Sequence, residues 1–409
     1  MALASALAGV LSLGAQRAGA ADEYPPVTYE RLTHAQDDPG WLTYYRAYDG
    51  RSHSPAKQID TSNVAGLKQV WSYKFPAELQ QGFEATPIVN GRYLFVTGPK
   101  DNVYAFDAIT GKSLWHYDPK LGPEAFKNAC CDVVNRGVAL YGKNVYVAML
   151  SGDIVALDAQ TGEVKWKKQM FDPGTGYAFS LAPLALDGAI VVGNSGGEYG
   201  ARGFIVAVSA DDGSVLWKRN TIPAPEEKGG DTWPKGMYEH GGGAAWMTGT
   251  FDPESKTLYW GVGNPGPWLA SMRPGDNLYS DSMLAMDAKT GDIKWHFQYT
   301  RNDTWDYDGV NPGMFAKIQY EGKDYDALLH FDRNGFFDAI DRQTGKLIYA
   351  RPFVKVTSVT GYKADGTPIQ DSAMYPKVGT TIDTCPSFLG GTNWWSKSYD
   401  PATHLAFVP

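Results

Sequence analysis

Three cysteines occur among the 409 residues, and two are neighbours in the segment Ala129-Cys130-Cys131-Asp132-Val133-Val134-Asn135-Arg136-Gly137. A disulfide between adjacent residues closes a small ring, an uncommon and rigid arrangement. Its flat sulfur surface can press on a planar cofactor. The competing reading is two free structural cysteines, because reduced cysteine is a common small core residue. Export to an oxidising compartment favours the disulfide, and the N-terminus points to export. The stretch from Met1 to Gly14 is apolar, and Ala18-Gly19-Ala20 precedes Ala21-Asp22-Glu23. That order matches the apolar region and cleavage site of a signal peptide covering residues 1–20, although the usual basic start is missing. No later stretch reaches the ~18 apolar residues of a membrane span. Histidines and cysteines do not cluster closely enough to suggest zinc. A net charge of −8 without a basic stripe argues against nucleic acid as a partner.

The elements that must carry this chemistry announce themselves as a repeat. Ala105-Phe-Asp-Ala-Ile-Thr-Gly-Lys-Ser-Leu-Trp115 recurs from Ala156 to Trp166, Ala207 to Trp217, Ala285 to Trp295 and Ala339 to Tyr349. The shared glycines fall at 111, 162, 213, 291 and 345, in steps of 51, 51, 78 and 54 residues. Asp-x-x-Thr-Gly is a hairpin turn: glycine takes a positive φ and aspartate bonds the local backbone. Alternating apolar residues flank it, as in Val103-Tyr-Ala-Phe106, which is strand periodicity. Only 20 % of residues are charged, while there are 46 Gly, 24 Tyr and 13 Trp, a composition suited to many turns and packed aromatics. The repeat's tryptophan can lie flat between neighbouring sheets. Four-stranded units of about fifty residues, each hiding a face on the next, make a β-propeller. The long step predicts an insertion at Ile222–Gly241. The last residues, Ser398 to Pro409, predict a strand entry that stops in mid-blade.

The repeat and the Cys-Cys-Asp-x-Val-Asn-Arg-Gly segment resemble the pyrroloquinoline quinone (PQQ)-dependent methanol and ethanol dehydrogenases, from about Asp22 to Pro409. The resemblance implies an all-β, eight-bladed quinoprotein propeller with tryptophan docking motifs over residues 21–409. Family members are longer, so it also implies that the last blades are missing at the C-terminus. The implied PQQ contacts are Glu84, Cys130, Cys131, Arg136, Ser180, Ser195, Gly196, Gly197, Trp246, Arg333 and Asn393. PQQ is a tricarboxylate, which suits cations and hydrogen-bond donors in its pocket. Ala244 stands where some members carry threonine, so one cofactor hydrogen bond would be lost.

The implied metal ligands are Glu198, Asn264, Asp306 and Asp308, hard oxygen donors that suit Ca²⁺ or a lanthanide(III). Three carboxylates favour the trivalent ion by charge count. The implied catalytic residues are Asp306 as base and Arg333 as the donor to the quinone oxygens. The expected activity is oxidation of a small primary alcohol, of methanol or ethanol type, in the periplasm. A soluble cytochrome c would accept the electrons, and a homodimer stays open. Scaffold propellers of the outer-membrane assembly type share the repeat without being enzymes. The Cys130-Cys131 pair, Glu198, Asn264 and Trp305-Asp306 argue against that alternative. A PQQ glucose dehydrogenase shares the propeller, and the adjacent cysteines favour the alcohol branch.

Overall fold

The computed structural model describes residues 23–75 and 83–409. The expected signal peptide at 1–20 lies outside the described residues. Five four-stranded antiparallel sheets follow one another, each a meander whose strands pair in sequence order. The first contains β1 (Ile88–Asn90), β2 (Tyr93–Thr97), β3 (Val103–Asp107) and β4 (Ser113–Tyr117). The second contains β5 (Ala139–Tyr141), β6 (Asn144–Ala148), β7 (Asp153–Asp158) and β8 (Val164–Gln169). The third contains β9 (Leu184–Ala185), β10 (Ala189–Gly193), β11 (Phe204–Ser209) and β12 (Val215–Asn220). The fourth contains β13 (Thr250–Asp252), β14 (Thr257–Val262), β15 (Ser282–Asp287) and β16 (Ile293–Gln298). The fifth contains β17 (Met314–Tyr320), β18 (Lys323–Phe331), β19 (Phe336–Asp341) and β20 (Leu347–Pro352). Two hairpins come after them, β21–β22 (Val359–Tyr362 with Pro368–Gln370) and β23–β24 (Ser398–Asp400 with Leu405–Phe407). Five complete blades of the expected eight are therefore present among the described residues.

Every copy of the repeat forms the turn between the third and fourth strand of its blade. In the first, Gly111 has φ +70° and its N–H donates to the Asp107 carbonyl at 2.8 Å. Asp107 Oδ1 accepts from the Thr110 N–H at 2.8 Å and from its hydroxyl at 2.9 Å. The pairing register slips by one residue at the same place in all five copies, immediately after the leading alanine. That alanine stands opposite the repeat's aromatic residue, as in Ala105 with Trp115 and Ala339 with Tyr349. A methyl group opposite an indole leaves the ring free to leave its own sheet and cover the next.

The ring lands on the next repeat's glycine. A Cβ added at Gly162 would come within 2.8 Å of Trp115, and one at Gly291 within 2.5 Å of Trp217. The indole N–H then donates to a carbonyl of the same turn. The bonds are Trp115 to Ala159 at 3.0 Å, Trp166 to Ala210 at 3.0 Å, Trp217 to Ala288 at 3.0 Å and Trp295 to Arg342 at 3.2 Å. Trp71, ahead of the first blade, makes the same latch on Gly111 and the Ala108 carbonyl at 3.1 Å. Trp71 escapes a repeat search because no Asp-x-x-Thr-Gly precedes it.

The extra length of the fourth unit is divided, which corrects the expectation of one insertion at Ile222–Gly241. One excursion, 221–249, precedes β13 and the other, 263–281, separates β14 from β15. Neither has a core of its own, so they cover each other. The Trp233 indole donates to the Leu278 carbonyl, and the Tyr279 hydroxyl donates to the Lys228 carbonyl at 2.9 Å.

Residues with chemical potential sit in two kinds of connection: the segment entering a blade's first strand and the link from its second to its third. In an antiparallel meander these lie at one end of the sheet, opposite the Asp-x-x-Thr-Gly turns. The latches can thus be tested apart from the site. Trp217→Ala should lower the free energy of unfolding by about 3–5 kcal/mol. Leu216→Ala, at an exposed neighbour on the same strand, should change it by less than ~0.5 kcal/mol. Urea unfolding of both variants measures the difference.

Candidate cofactor and metal site

The Cys130–Cys131 disulfide is formed. Its loop is pinned to the turn between β2 and β3. Asn135 Nδ2 donates to Asp101 Oδ1 at 2.8 Å, the Thr97 hydroxyl donates to the Asn135 carbonyl at 2.8 Å, and the Lys100 N–H donates to the Val133 carbonyl at 2.8 Å. Burial pushes the Asp101 carboxyl up to about 7, against the two hydrogen bonds it accepts. The same loop delivers Arg136, which is 6 % exposed. Its guanidinium lies between two indole rings, 4.9 Å from Trp246 and 4.8 Å from Trp394. It pairs with Glu84 at 2.7 Å and donates to the Ser180 carbonyl at 3.2 Å, while its buried Nε has no partner. Burial raises the Glu84 carboxyl, and Arg136 opposes that shift.

A second group converges beside the first. Arg333, between β18 and β19, donates through Nη1 to Asp308 and through Nη2 to Asp306 at 3.2 Å and to the Phe388 carbonyl. Its Nε, like that of Arg136, is buried and unpartnered. Asp308 Oδ1 accepts from the Asn264 N–H at 2.9 Å and from the Trp246 indole at 3.2 Å. One end of the Asn264 amide stands 3.1 Å from Glu198 Oε1 and 3.2 Å from Asp308 Oδ1, and its other end stands 2.9 Å from Trp268 Nε1. With nitrogen toward the carboxylates, the amide donates to both; with oxygen toward them, three oxygens face one point.

The electrostatics of this group are those of a site short of positive charge. Burial and then Asp308 raise the Glu198 carboxyl. Burial, with Asp308 adding to it, pushes Asp306 up to about 9. Burial works against the charge on Arg333, but Asp308 and Asp306 outweigh it and raise the guanidinium. Asp306 itself has φ +67°, an unusual conformation held by its surroundings. Among the described residues, no three His, Cys, Asp or Glu side chains form a ready-made metal cluster. Both aspartates turn to Arg333, and the bridging ligand candidate is an amide.

The other expected residues divide. Gly196 has φ +106°, and a Cβ there would come within 1.9 Å of the Gly176 carbonyl oxygen, so the close approach needs glycine. Gly197 lies against Gly242 and Ala244. The Ser195 hydroxyl donates to the Ala178 carbonyl at 3.0 Å. Asn393 makes only local bonds: Nδ2 to the Leu389 carbonyl at 3.1 Å and Oδ1 from the Trp394 N–H at 2.8 Å. The residue that reaches Arg136 is its neighbour Trp394. The doublet Trp394-Trp395 beside Asn393 was the available signal for it, as Trp268 was four residues beyond Asn264.

Trp246 joins the two groups, one ring face toward Arg136 and its N–H on Asp308. Two buried arginines with spare donors, aromatic faces and a nest of hard oxygens suit a planar polyanion beside a cation. Residues 41–370 match the family model "PQQ: Glucose/ethanol/alcohol dehydrogenase, beta-propeller domain". The chain belongs to this family. It is 39 % identical to "Quinoprotein alcohol dehydrogenase PedH" of Pseudomonas putida, over 98 % of this chain and 70 % of that protein. It is also 39 % identical to "Quinohemoprotein alcohol dehydrogenase ADH-IIG" of Pseudomonas putida, over 99 % of this chain but only 59 % of the relative. The structure of a "Europium-containing methanol dehydrogenase" superposes with TM-score 0.89 at 34 % identity, over 93 % of this chain and 70 % of that one.

For a PQQ-dependent dehydrogenase, the residues present fit both groups. The orphan Nε atoms of Arg136 and Arg333 are free for acceptor oxygens, and Glu198, Asn264 and Asp308 fit a hard cation. The charge balance gives a stability test. Arg333→Met leaves buried carboxylates without their cation and should cost about 3–5 kcal/mol. The cost should shrink when Asp308→Asn is already present. A double-mutant cycle in urea measures this coupling.

Proposed function

We propose that the whole protein oxidises small primary alcohols, of methanol or ethanol type, to aldehydes in the periplasm, and passes the electrons to a soluble cytochrome c. The observation that carries this reading is Trp246 touching both Arg136 and Asp308, which links a polyanion pocket to an acidic one. PQQ, when bound, supplies the two-electron hydride acceptor, and the cation supplies Lewis acidity at the quinone carbonyl.

The chain's own residues then have separable tasks. Arg136 offers its free Nε to a carboxylate, held in place by Glu84, Trp246 and Trp394. Glu84, Ser180 and the 195–197 turn line that pocket in the proposed arrangement, with Cys130–Cys131 and Trp246 against the two faces of the planar group. Asn393 would join through a change in its local turn. Arg333 offers Nε to oxygens on which negative charge develops. Asp306 removes the proton of the alcohol hydroxyl. Burial and the Asp308 charge hold that carboxyl protonated near neutrality. A base role therefore requires a compensating positive charge, which the site for Glu198, Asn264, Asp306 and Asp308 would take up. Three carboxylates favour a lanthanide(III) over Ca²⁺ by charge matching, and the europium-containing relative agrees with that preference.

Two experiments test the scheme in the whole protein reconstituted with PQQ and metal. Asp306→Asn should abolish dye-linked alcohol oxidation while PQQ stays bound, because an amide cannot accept the proton; full turnover would remove Asp306 from the base role. Wild type should gain more activity from La³⁺ than from Ca²⁺, and Asp308→Ala should move the preference toward Ca²⁺. An unchanged preference would leave Asp308 as a partner of Arg333 only.

A further inference from the structure

Arg273 belongs to neither group above, yet it is fully buried in the second excursion of the fourth unit. Its hydrogen-bond acceptors are neutral oxygens. Nε donates to the Pro267 carbonyl at 2.7 Å, Nη1 to Asn277 Oδ1 at 2.8 Å, and Nη2 to the Trp268 carbonyl at 3.0 Å and to the Asp303 carbonyl. Pro267 and Trp268 follow Asn264 by three and four residues, and Asp303 precedes Asp306 by three. One planar group therefore ties together the two loops that carry Asn264 and Asp306–Asp308.

Each loop passes the restraint on. Trp268 Nε1 stands 2.9 Å from the Asn264 amide. Asp303 accepts from the Trp305 and Tyr307 N–H groups, each at 3.0 Å, and so shapes the turn that holds Asp306 at positive φ. Asn302 Nδ2 donates to the Arg273 carbonyl and to Asn277 Oδ1, both at 2.8 Å, which ties the Arg273 backbone and its partner Asn277 to the segment leading into Asp303 and Asp306. A buried guanidinium is costly to desolvate, and a lysine ammonium could not reach four acceptors in this forked geometry.

We propose that Arg273 is a positioning residue for the cation site, setting the separation of the Asn264 loop from the Asp306–Asp308 loop and with it the affinity for a hard cation. The inference rests on the cation reading of that site, so its test probes binding of Tb³⁺ alone, without PQQ or turnover. Trp268 and Trp246 adjoin the ligands and should sensitise Tb³⁺ emission when tryptophan is excited. Arg273→Lys should raise the half-saturating Tb³⁺ concentration roughly 10-fold to 100-fold, the usual effect of removing support behind metal ligands. Asn277→Ala, a milder change that frees Nη1, should shift it in the same direction and decides the matter if Arg273→Lys does not fold. Leu216→Ala, at an exposed position on β12 that takes part in no latch, should leave the Tb³⁺ curve unmoved. Folded Arg273→Lys and Asn277→Ala proteins with wild-type Tb³⁺ curves would overturn the positioning role. Emission unaltered by Glu198→Gln in the wild-type background would overturn the cation site itself, and the inference with it.

Discussion

Everything in this molecule hangs on an indole ring pressed against a glycine. In each latch, the glycine of the repeat's turn, Asp-x-x-Thr-Gly in four copies and Ser-x-x-Asp-Gly at Gly213, has φ between +70° and +75°, and an added Cβ would come within 2.5–2.8 Å of the arriving tryptophan. Two demands, backbone conformation and flat contact, fall on the same residue, and only glycine meets both. The indole N–H spends its one donor on the same turn, so the ring cannot slide. Because no strand of one blade pairs with a strand of the next, this contact sets how closely the sheets pack at that end. Spacing at one end of the blades fixes how closely the loops at the other end approach, and those loops hold all the chemistry.

The chemistry is a matter of charge taken out of water. Asp306, Asp308 and Glu198 share one neighbouring cation, Arg333. Buried carboxylates outnumbering their cations shift upward until something compensates them. Gly263 lets the strand end come close to them; a Cβ there would lie 2.3 Å from Asp308 Oδ1. Across Trp246, Arg136 is held by Glu84 and two indoles while its Nε stays unsatisfied. An unsatisfied buried donor at the edge of a pocket is available to an acceptor oxygen of a bound anion.

Much of the fold could be read directly because its repeat is local. Turn, bulge and docking residue lie within eleven positions of each other, so one window contains one half of each latch and the next copy contains the other. Trp71 carries no such signature, because no Asp-x-x-Thr-Gly turn precedes it, although it latches onto Gly111 as the others latch onto their glycines. The divided insertion was misplaced for a related reason. Its halves, around Trp233 and Leu278, stabilise each other across a strand hairpin, and composition alone could not show that the second half existed. In the site, Asn393 drew attention as a polar residue, while the structure brings Trp394 to Arg136; which of two neighbours faces inward depends on the turn that Asn393 itself caps.

The sequence by itself therefore determined the repeat, its turns and docking aromatics, the adjacent cysteines and the chemical types available to a site. Those follow from short-range sterics and hydrogen bonding, which act between residues a few positions apart. Only the tertiary structure decided which side chains meet. Arg136 lies 110 residues before Trp246, Trp246 is 62 before Asp308, and Arg333 is 25 after it, yet they form one connected group. Their meeting depends on the angle and spacing of successive blades, a property summed over every latch in the ring and carried by no single segment.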